Sequence, residues 1–368
     1  MTQVNIALAV PEDDASIRQL VKRQPVPGRI TVAFEREPDF SLGCAVTGDD
    51  CRILVARTAE DAEVVGVACR SVRRVFLNGR EQRLGYLGQL RVDQRFRGRW
   101  LVSRGFSLLR QLHDSDPVPA YLAAIIAGNP EATAVLVGKR RKFFPHFHAV
   151  ADYCTLALDA HQRKSALACD ARISPASPDE LAEIADFLRT HGGHRQFFPV
   201  WTQEALCNLA ALGLRTEDLR IARRGAKIVG VTGLWDQAAY KQTVVRSYSG
   251  WLKAVVPFWN SSAAWFGRSA LPRPGEKLRS AYASLICVAE DDAAVFGSLL
   301  REVYNLARLR GFSYLLVGLD ARDPLLPVAR AYTHVLYRST LYLAEWSEGG
   351  QLHEQLDQRP VYVDAATL

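Results

Sequence analysis

Five consecutive residues, Arg95-Phe96-Arg97-Gly98-Arg99, set three guanidiniums and a glycine between an apolar run, Leu84–Val92, and a stretch of helical periodicity, Trp100–His113. These residue types in this order can hold an anion. The first amides of a helix have no partner within the helix and point at whatever precedes it. The helix dipole makes that end positive. Gly98 lets main chain approach a ligand closely, and each guanidinium adds charge and forked donors. The elements needed to position such a turn are readable on either side. Leu84–Val92 has the composition of a buried strand. Trp100–His113 carries Leu101, Val102, Phe106, Leu108, Leu109 and Leu112 at helical spacing.

The rest of the chain alternates in the same way. Asn5–Val10 reads as a strand and Pro11-Glu12-Asp13-Asp14 as a helix start, followed by Ile17, Leu20 and Val21 on one face. Arg23–Asp50 reads as loop-rich, with Pro25, Pro27 and Pro38. Cys51–Arg57 and Glu63–Phe76 read as strands, and Asn78-Gly79 as a hairpin turn. Tyr121–Ala127 is an apolar strand, Asn129-Pro130-Glu131 opens a helix, and His146–Leu158 closes the series. The order then recurs. ARISPASPDELAEIADFLRT, Ala171–Thr190, repeats strand, Pro-acid-acid and amphipathic helix. LRIAR and KIVGVTGL echo CRILVAR and EVVGVACR. YLLVGLD, Tyr314–Asp320, echoes YLAAIIA, and STLYL echoes CTLAL. Several matches in one order indicate duplication. The halves differ at the strand-to-helix junction. In the second it reads SLICVAEDD, with three acids and neither Gly nor Arg. Carboxylates there repel a phosphate and start a helix well.

Composition bounds what this architecture can be. At 368 residues with 48% hydrophobic residues, the chain suits two domains that each bury a core. No apolar run approaches a membrane span, and the start MTQVNIALAVPEDD carries acids where a secretory leader carries bases. A cytoplasmic protein is expected. Seven scattered cysteines without a CxxC predict reduced, mostly buried thiols and no metal. The net charge of +7 and pI of 9.1 suit an anionic ligand, and RNA equally. One basic cluster stands at Lys139-Arg140-Arg141-Lys142.

Leu84–His113 resembles motif A of the GCN5-related N-acetyltransferase (GNAT) superfamily. In that family an apolar strand ending Leu-x-Val is followed by Gln/Arg-x-x-Gly-x-Gly/Ala and a helix. Leu90-Arg91-Val92 ends the strand here and Arg95–Arg99 matches the turn, while Trp100 stands where the family has a small residue. Asn129 and Ala132 match the Asn-x-x-Ala that opens the family's motif B. The resemblance implies an α/β chain of two tandem GNAT-like domains, each a mixed, mostly antiparallel sheet flanked by helices. They would span 1–158 and a degenerate 171–346, with a linker at 159–170 and a C-terminal tail at 347–368.

It further implies acetyl-CoA or another acyl-CoA as co-substrate and no metal. The carrier would be held by Leu90, Arg91, Val92, Arg95, Phe96, Arg97, Gly98, Arg99, Trp100 and Asn129. The implied reaction is direct attack of a neutral amine on the thioester, the amine belonging to a small molecule or peptide. The family's tyrosine falls on Leu136 and its Gly-Phe on Arg140-Arg141. Leu84–Val92 carries no carboxylate, so Tyr86 and Gln89 are the polar side chains left for catalysis. Asn129 also suits a helix cap, and Tyr153 a core position. His191-Gly-Gly-His194 offers too few ligands for a metal and suits a polar loop lining a cleft. The aromatic stretch Ser249–Phe266 suits core or lid packing. Two other functions fit the charge and the departures from the motif: acyl transfer from aminoacyl-tRNA, with nucleic acid possible but not favoured, and a non-catalytic CoA-binding module.

Overall fold

The structure is a computed structural model and describes residues 3–368 except 27, 29, 98, 138–143, 263, 264, 266–269, 347 and 349. Of Arg99 only the main chain is described. Through the first half run β1 (Val4–Leu8), α1 (Asp14–Lys22), β2 (Ile30–Glu35), α2 (Phe40–Ala45), β3 (Asp50–Thr58), β4 (Val64–Leu77), β5 (Arg80–Val92), α3 (Arg99–Ser115), β6 (Tyr121–Ile126), α4 (Pro130–Leu136) and β7 (His146–Asp159). The second half runs β8 (Arg172–Pro175), α5 (Leu181–Gly192), α6 (Gln203–Asn208), β9 (Leu219–Arg224), β10 (Lys227–Trp235), β11 (Gln242–Tyr248), α7 (Trp251–Ser262), β12 (Ser280–Val288), α8 (Ala293–Leu309), β13 (Tyr314–Asp320), α9 (Leu326–Arg330), β14 (His334–Glu345) and α10 (Leu352–Gln355).

Twelve strands form one sheet in the order β1-β3-β4-β5-β6-β14-β7-β13-β12-β10-β9-β8. All neighbours are antiparallel except β5–β6 and β12–β13, which occupy equivalent places in the two halves. The last strands are traded. β14 lies between β6 and β7, and β7 lies between β14 and β13. Neither half's portion of the sheet is complete without a strand from the other. Leu341 and Leu343 of β14, both fully buried, pack with Val75, Leu77, Leu84 and Leu122 of the first half.

The helices cover this sheet as their spacing predicts. Ile17, Leu20 and Val21 of α1 are buried, as are Leu101, Phe106 and Leu109 of α3. Asp13 at the start of α1 accepts from the Val10 amide at 2.7 Å and pairs with Arg57. Asn78-Gly79 forms the β4–β5 turn, with φ of 51° and 76°.

Two stretches differ from the sequence expectation. Arg23–Asp50, read as loop, contains β2 and α2. Gln242–Tyr248, unassigned by pattern, is β11. They form a separate two-stranded sheet with each other, Val245 opposite Val32 and Thr243 opposite Phe34. Each strand is short, and its partner is about two hundred residues away, so no local pattern announces the pairing. The C-terminal segment is also folded in, with Val361, Tyr362, Val363, Asp364 and Ala366 buried.

Because β14 belongs to the cores of both halves, unfolding is expected to be one transition. Leu341→Ala should lower stability by about 2–5 kcal/mol without splitting the calorimetric peak. Two separated transitions, only one of them moved by the substitution, would show that the halves fold independently.

Candidate functional site

The site begins with a break in strand pairing. β5 and β6 pair at Gly85–Tyr121, Tyr86–Leu122 and Leu87–Ala123, where the parallel ladder ends. On its other edge β5 slips against β4: Val67 faces Arg91 while Cys69 faces Gly88, so β5 carries one residue more than its partner. This is a β-bulge, and Gln89 within it has φ of +57°. Gly88 is required here, since a Cβ would stand 2.7 Å from Cε1 of Tyr86. Past the bulge, β6 continues against β14 and parts from β5. A cavity of about 540 Å³ opens in the gap, lined by Leu87–Val92 of β5, Ala123–Ile126 of β6, the inner face of α3, and the roof made by β2 and β11.

Of the ten sequence-predicted carrier residues, Leu90, Arg91, Val92 and Asn129 line the cavity, whereas Arg95, Phe96, Arg97 and Trp100 do not. The strand then enters a 3₁₀ turn, Gln94–Phe96, capped by Asp93, whose Oδ1 accepts from the Arg95 amide at 2.9 Å. Arg95 pairs with Asp93 at 2.9 Å and Glu63 at 2.7 Å, and lies 5.5 Å from the Phe96 ring. The Asp93 carboxyl is held below its usual range, first by its hydrogen bond to Arg95. Phe96 packs against Val4, Ala56 and Leu101. Arg97 reaches Glu131 of α4 at 2.6 Å and Gln24 at 3.2 Å, tying the turn to the facing helix. Gly98 lies outside the described residues. Arg99 opens α3, and Trp100 beside it is 46% exposed and does not line the cavity. Asn129 caps α4, accepting from the Ala132 amide at 3.1 Å, and lines the cavity as well.

Tyr86 and Gln89, the two side chains singled out for catalysis, both line the cavity at the bulge. Burial pushes the Tyr86 phenol up to about 12, so it keeps its proton at neutral pH. Among the described residues no aspartate or glutamate lines the cavity, whereas Arg36, Arg70, Arg91 and Lys241 do. Arg70 is engaged elsewhere, with Asp116 at 3.0 Å and Tyr121 at 3.1 Å. Arg36, Lys241 and their neighbour Tyr282 escaped the sequence reading. Arg36 directly follows β2 and Lys241 directly precedes β11, the strands whose pairing forms only in the folded chain.

The second half repeats the device and closes it. β12 and β13 pair in parallel from Ser280–Tyr314 to Ala283–Val317. β12 then bulges against β10, with Leu285 at φ of +55°. Here the freed amides are taken: Leu285 N donates to Asp364 Oδ2 at 2.8 Å, and Ile286 N donates to the Tyr362 hydroxyl at 2.9 Å. The C-terminal segment thus occupies the gap that stands open in the first half. The acids of the junction act as anticipated. Asp292 accepts from the Ala294 and Val295 amides at 2.9 and 3.2 Å, so the start of α8 is satisfied from within. Asp291 pairs with Arg195.

Other expected features fall elsewhere. The His191–Phe198 loop, expected to line a cleft, does not line this cavity. Buried Arg195 pairs with Asp323 and Asp291, and Gln196 donates to Asn78 at 2.6 Å and Asp357 at 2.8 Å, which pins the β4–β5 turn to the second half. Polar content alone could not distinguish a cleft wall from such a buried junction. Of the aromatics expected in core or lid, Trp251, Phe258 and Trp265 are exposed at 66%, 76% and 90%. Val256 and, partly buried, Leu252 are α7 side chains that pack inward, against Val245 and Tyr248. Tyr153 is core, donating to the Val363 carbonyl at 2.6 Å. Lys139–Lys142 lies outside the described residues.

Although no metal was expected, two groups of described side chains could hold one: Cys44, Cys51 and Cys69, and His148, Glu345 and His353. The three thiols come from α2, β3 and β4, at a spacing that matches no motif. They sit at the edge of a hydrophobic cluster, with Sγ of Cys44 and Cys69 3.3 Å apart.

A bulged strand that parts from its parallel neighbour, beside a helix start and in a mostly antiparallel sheet, defines the GNAT fold. This chain carries that fold twice in tandem. A GCN5-related N-acetyltransferase from Sphaerobacter thermophilus superposes with a TM-score of 0.58 over 99% of this chain and 98% of its own, at 17% identity. Saccharomyces cerevisiae N-myristoyltransferase with bound myristoyl-CoA gives 0.64 over 94% of this chain and 83% of its own, at 8% identity. A GCN5-related glucosamine N-acetyltransferase region of a fungal multi-domain GH3 beta-N-acetylglucosaminidase gives 0.61 over 94% of this chain and 38% of that one, at 14% identity. No protein-family model and no curated protein matches the chain. At these identities the likeness establishes the fold.

Asp93→Ala should cost about 1 kcal/mol as a lost cap, measured by denaturant unfolding. The wild-type advantage has a defined pH dependence, because the folded Asp93 carboxyl lies below its unfolded value. The advantage is complete above the ordinary carboxylate range and fades as pH falls below it. An advantage unchanged at low pH would rule out the Asp93–Arg95 pair as its source.

Proposed function

We propose that the protein is an acyl-CoA-dependent N-acyltransferase whose first half carries acetyl-CoA or another acyl-CoA. The observation that carries this reading is the asymmetry of the two bulges. The gap beside Gln89 is open and leads from the start of α3 into a large cavity, whereas its counterpart beside Leu285 is filled by Tyr362 and Asp364. The pantetheine arm would lie along β5 and bond to main-chain groups near Leu90 and Val92. The diphosphate would meet the turn and the first amides of α3. The neighbours' own activities, N-acetyl and N-myristoyl transfer, support the same class of reaction.

The chemistry follows from what lines the cavity. A neutral amine attacks the thioester carbon, and an amide of the bulged strand stabilises the oxyanion. The C–S bond breaks, the nitrogen loses a proton to water, and the thiolate takes one from the Tyr86 hydroxyl. Among the described residues no aspartate or glutamate lines the cavity to act as base, so the amine arrives neutral. The rate constant kcat/KM should therefore rise with pH through the acceptor amine's own pKa. It should show no falling limb until the phenol titrates, near 12.

Melting with and without acetyl-CoA tests the carrier site. At a hundred times its dissociation constant a ligand stabilises by roughly 2.7 kcal/mol. Arg97→Glu should weaken the shift at a given acetyl-CoA concentration, and Tyr86→Phe should keep the shift while lowering kcat about 10²-fold. A full shift with no transfer to any amine would indicate a CoA-binding module. No shift at all would remove the carrier site.

A further inference from the structure

The cavity roof holds a buried guanidinium, Arg36, that no carboxylate pairs with among the described residues. Arg36 is 4% exposed, and its stem lies across Gly43 of α2, where a Cβ would come within 2.7 Å of Cδ and 2.8 Å of Nε. Its guanidinium faces the cavity with Tyr86 and Tyr282 close by. Nη1 donates to the Glu35 carbonyl at 3.1 Å, and no carboxylate pairs with Arg36 among the described residues. The Glu35 side chain is turned away, toward Arg246 and Lys22. The Cys44 and Cys69 thiols also face Arg36 and are pushed up by hydrogen bonds within the cysteine trio and by burial, while the same hydrogen bonds draw Cys51, the third member, down. Lys241 stands across the Tyr282 ring, its Nζ 5.0 Å from the ring centre, and burial together with Arg36 draws its pKa well below the ordinary lysine range. It donates to the main-chain oxygens of Leu368 at 2.9 Å and Ala366 at 3.2 Å.

A buried guanidinium is expensive unless it is paired. Arginine offers five donors in a planar fork, of which this one spends few on the protein. The carrier's phosphates belong at the opposite end, beside the turn after Val92. Arg36 instead sits with Tyr86, on the side of the bulge where the acceptor enters.

We propose that the acceptor is a primary amine bearing a carboxylate on an otherwise apolar body, and that Arg36 binds the carboxylate. The planar fork matches a carboxylate bidentately. The apolar lining around it, including Val32, Phe34, Leu278, Leu316 and Tyr337, suits the body. The inference rests on the acyl-transfer reading for the amine, and on Arg36 alone for the carboxylate.

The test incubates the protein with acetyl-CoA and a pool of the free amino acids, in parallel with a pool of the corresponding amino acid amides. Products are read by mass spectrometry. The amides have the less basic amines and are more fully neutral, so intrinsic reactivity favours them. The expected result is the reverse: at least one apolar amino acid acetylated with about 10–100-fold higher kcat/KM than its amide, as a charge-assisted hydrogen bond is worth. In Arg36→Met the preference should collapse while the acetyl-CoA melting shift persists, and Arg36→Lys should restore part of it. Equal or better use of the amides by the wild-type protein overturns the inference and leaves the transferase reading standing. If neither pool is acetylated, the carboxylate site is judged by calorimetry on CoA-loaded protein. Arg36-dependent binding of N-acetyl amino acids over their amides upholds the site, and no difference overturns it.

Discussion

Main-chain amides and carbonyls that leave a β-ladder must find another partner or meet a ligand. That requirement organises this molecule. One extra residue in β5, at Gln89, ends its pairing with β6 and leaves a length of strand facing a cavity. One extra residue in β12, at Leu285, does the same, and there Tyr362 and Asp364 supply the partners. The same backbone event yields an open groove in one half and a closed joint in the other. The difference lies in a dozen residues at the far end of the chain. The second half is unsuited to a phosphate ligand at two levels: the acids before α8 satisfy that helix start, and the tail fills the space behind it.

The traded strands explain why the halves act as one body. β14 buries its leucines in the first half's core, and β7 pairs with β13 of the second. The two-stranded β2–β11 sheet crosses between the halves again and roofs the cavity. A groove built this way has walls from both copies, so duplication supplies a wall that one copy could not. It also explains how the copies could diverge so far, one providing the strand that bears the bulge and the other providing the roof, Lys241 and Tyr282.

The electrostatics of the cavity follow from the same construction. Basic side chains enter from β5, from the end of β2 and from the start of β11. The carboxylates of the neighbourhood, Asp93, Glu35, Asp116 and Asp364, are each committed outside it, to Arg95, Arg246, Arg70 and main-chain amides respectively. A low-dielectric space lined by basic side chains, and by no aspartate or glutamate among the described residues, attracts a negatively charged guest.

Much of this was decided by local sequence. The alternation of strand and helix, the Asn78-Gly79 turn, the acidic helix start at Pro11–Asp14, the Asn129 cap and the basic turn after Val92 are short-range patterns. Each depends on neighbours a few residues away, and each is visible before folding. The cysteine trio, the buried role of Arg195 and Gln196, the exchange of β7 with β14 and the pairing of β2 with β11 depend on contacts between residues far apart in the chain. Arg36 reads as an ordinary charged residue in a proline-flanked stretch. The packing of Gly43 beneath it and the arrival of β11 from the other half bury it, and burial away from any carboxylate of the described residues is what sets it apart from a common surface charge.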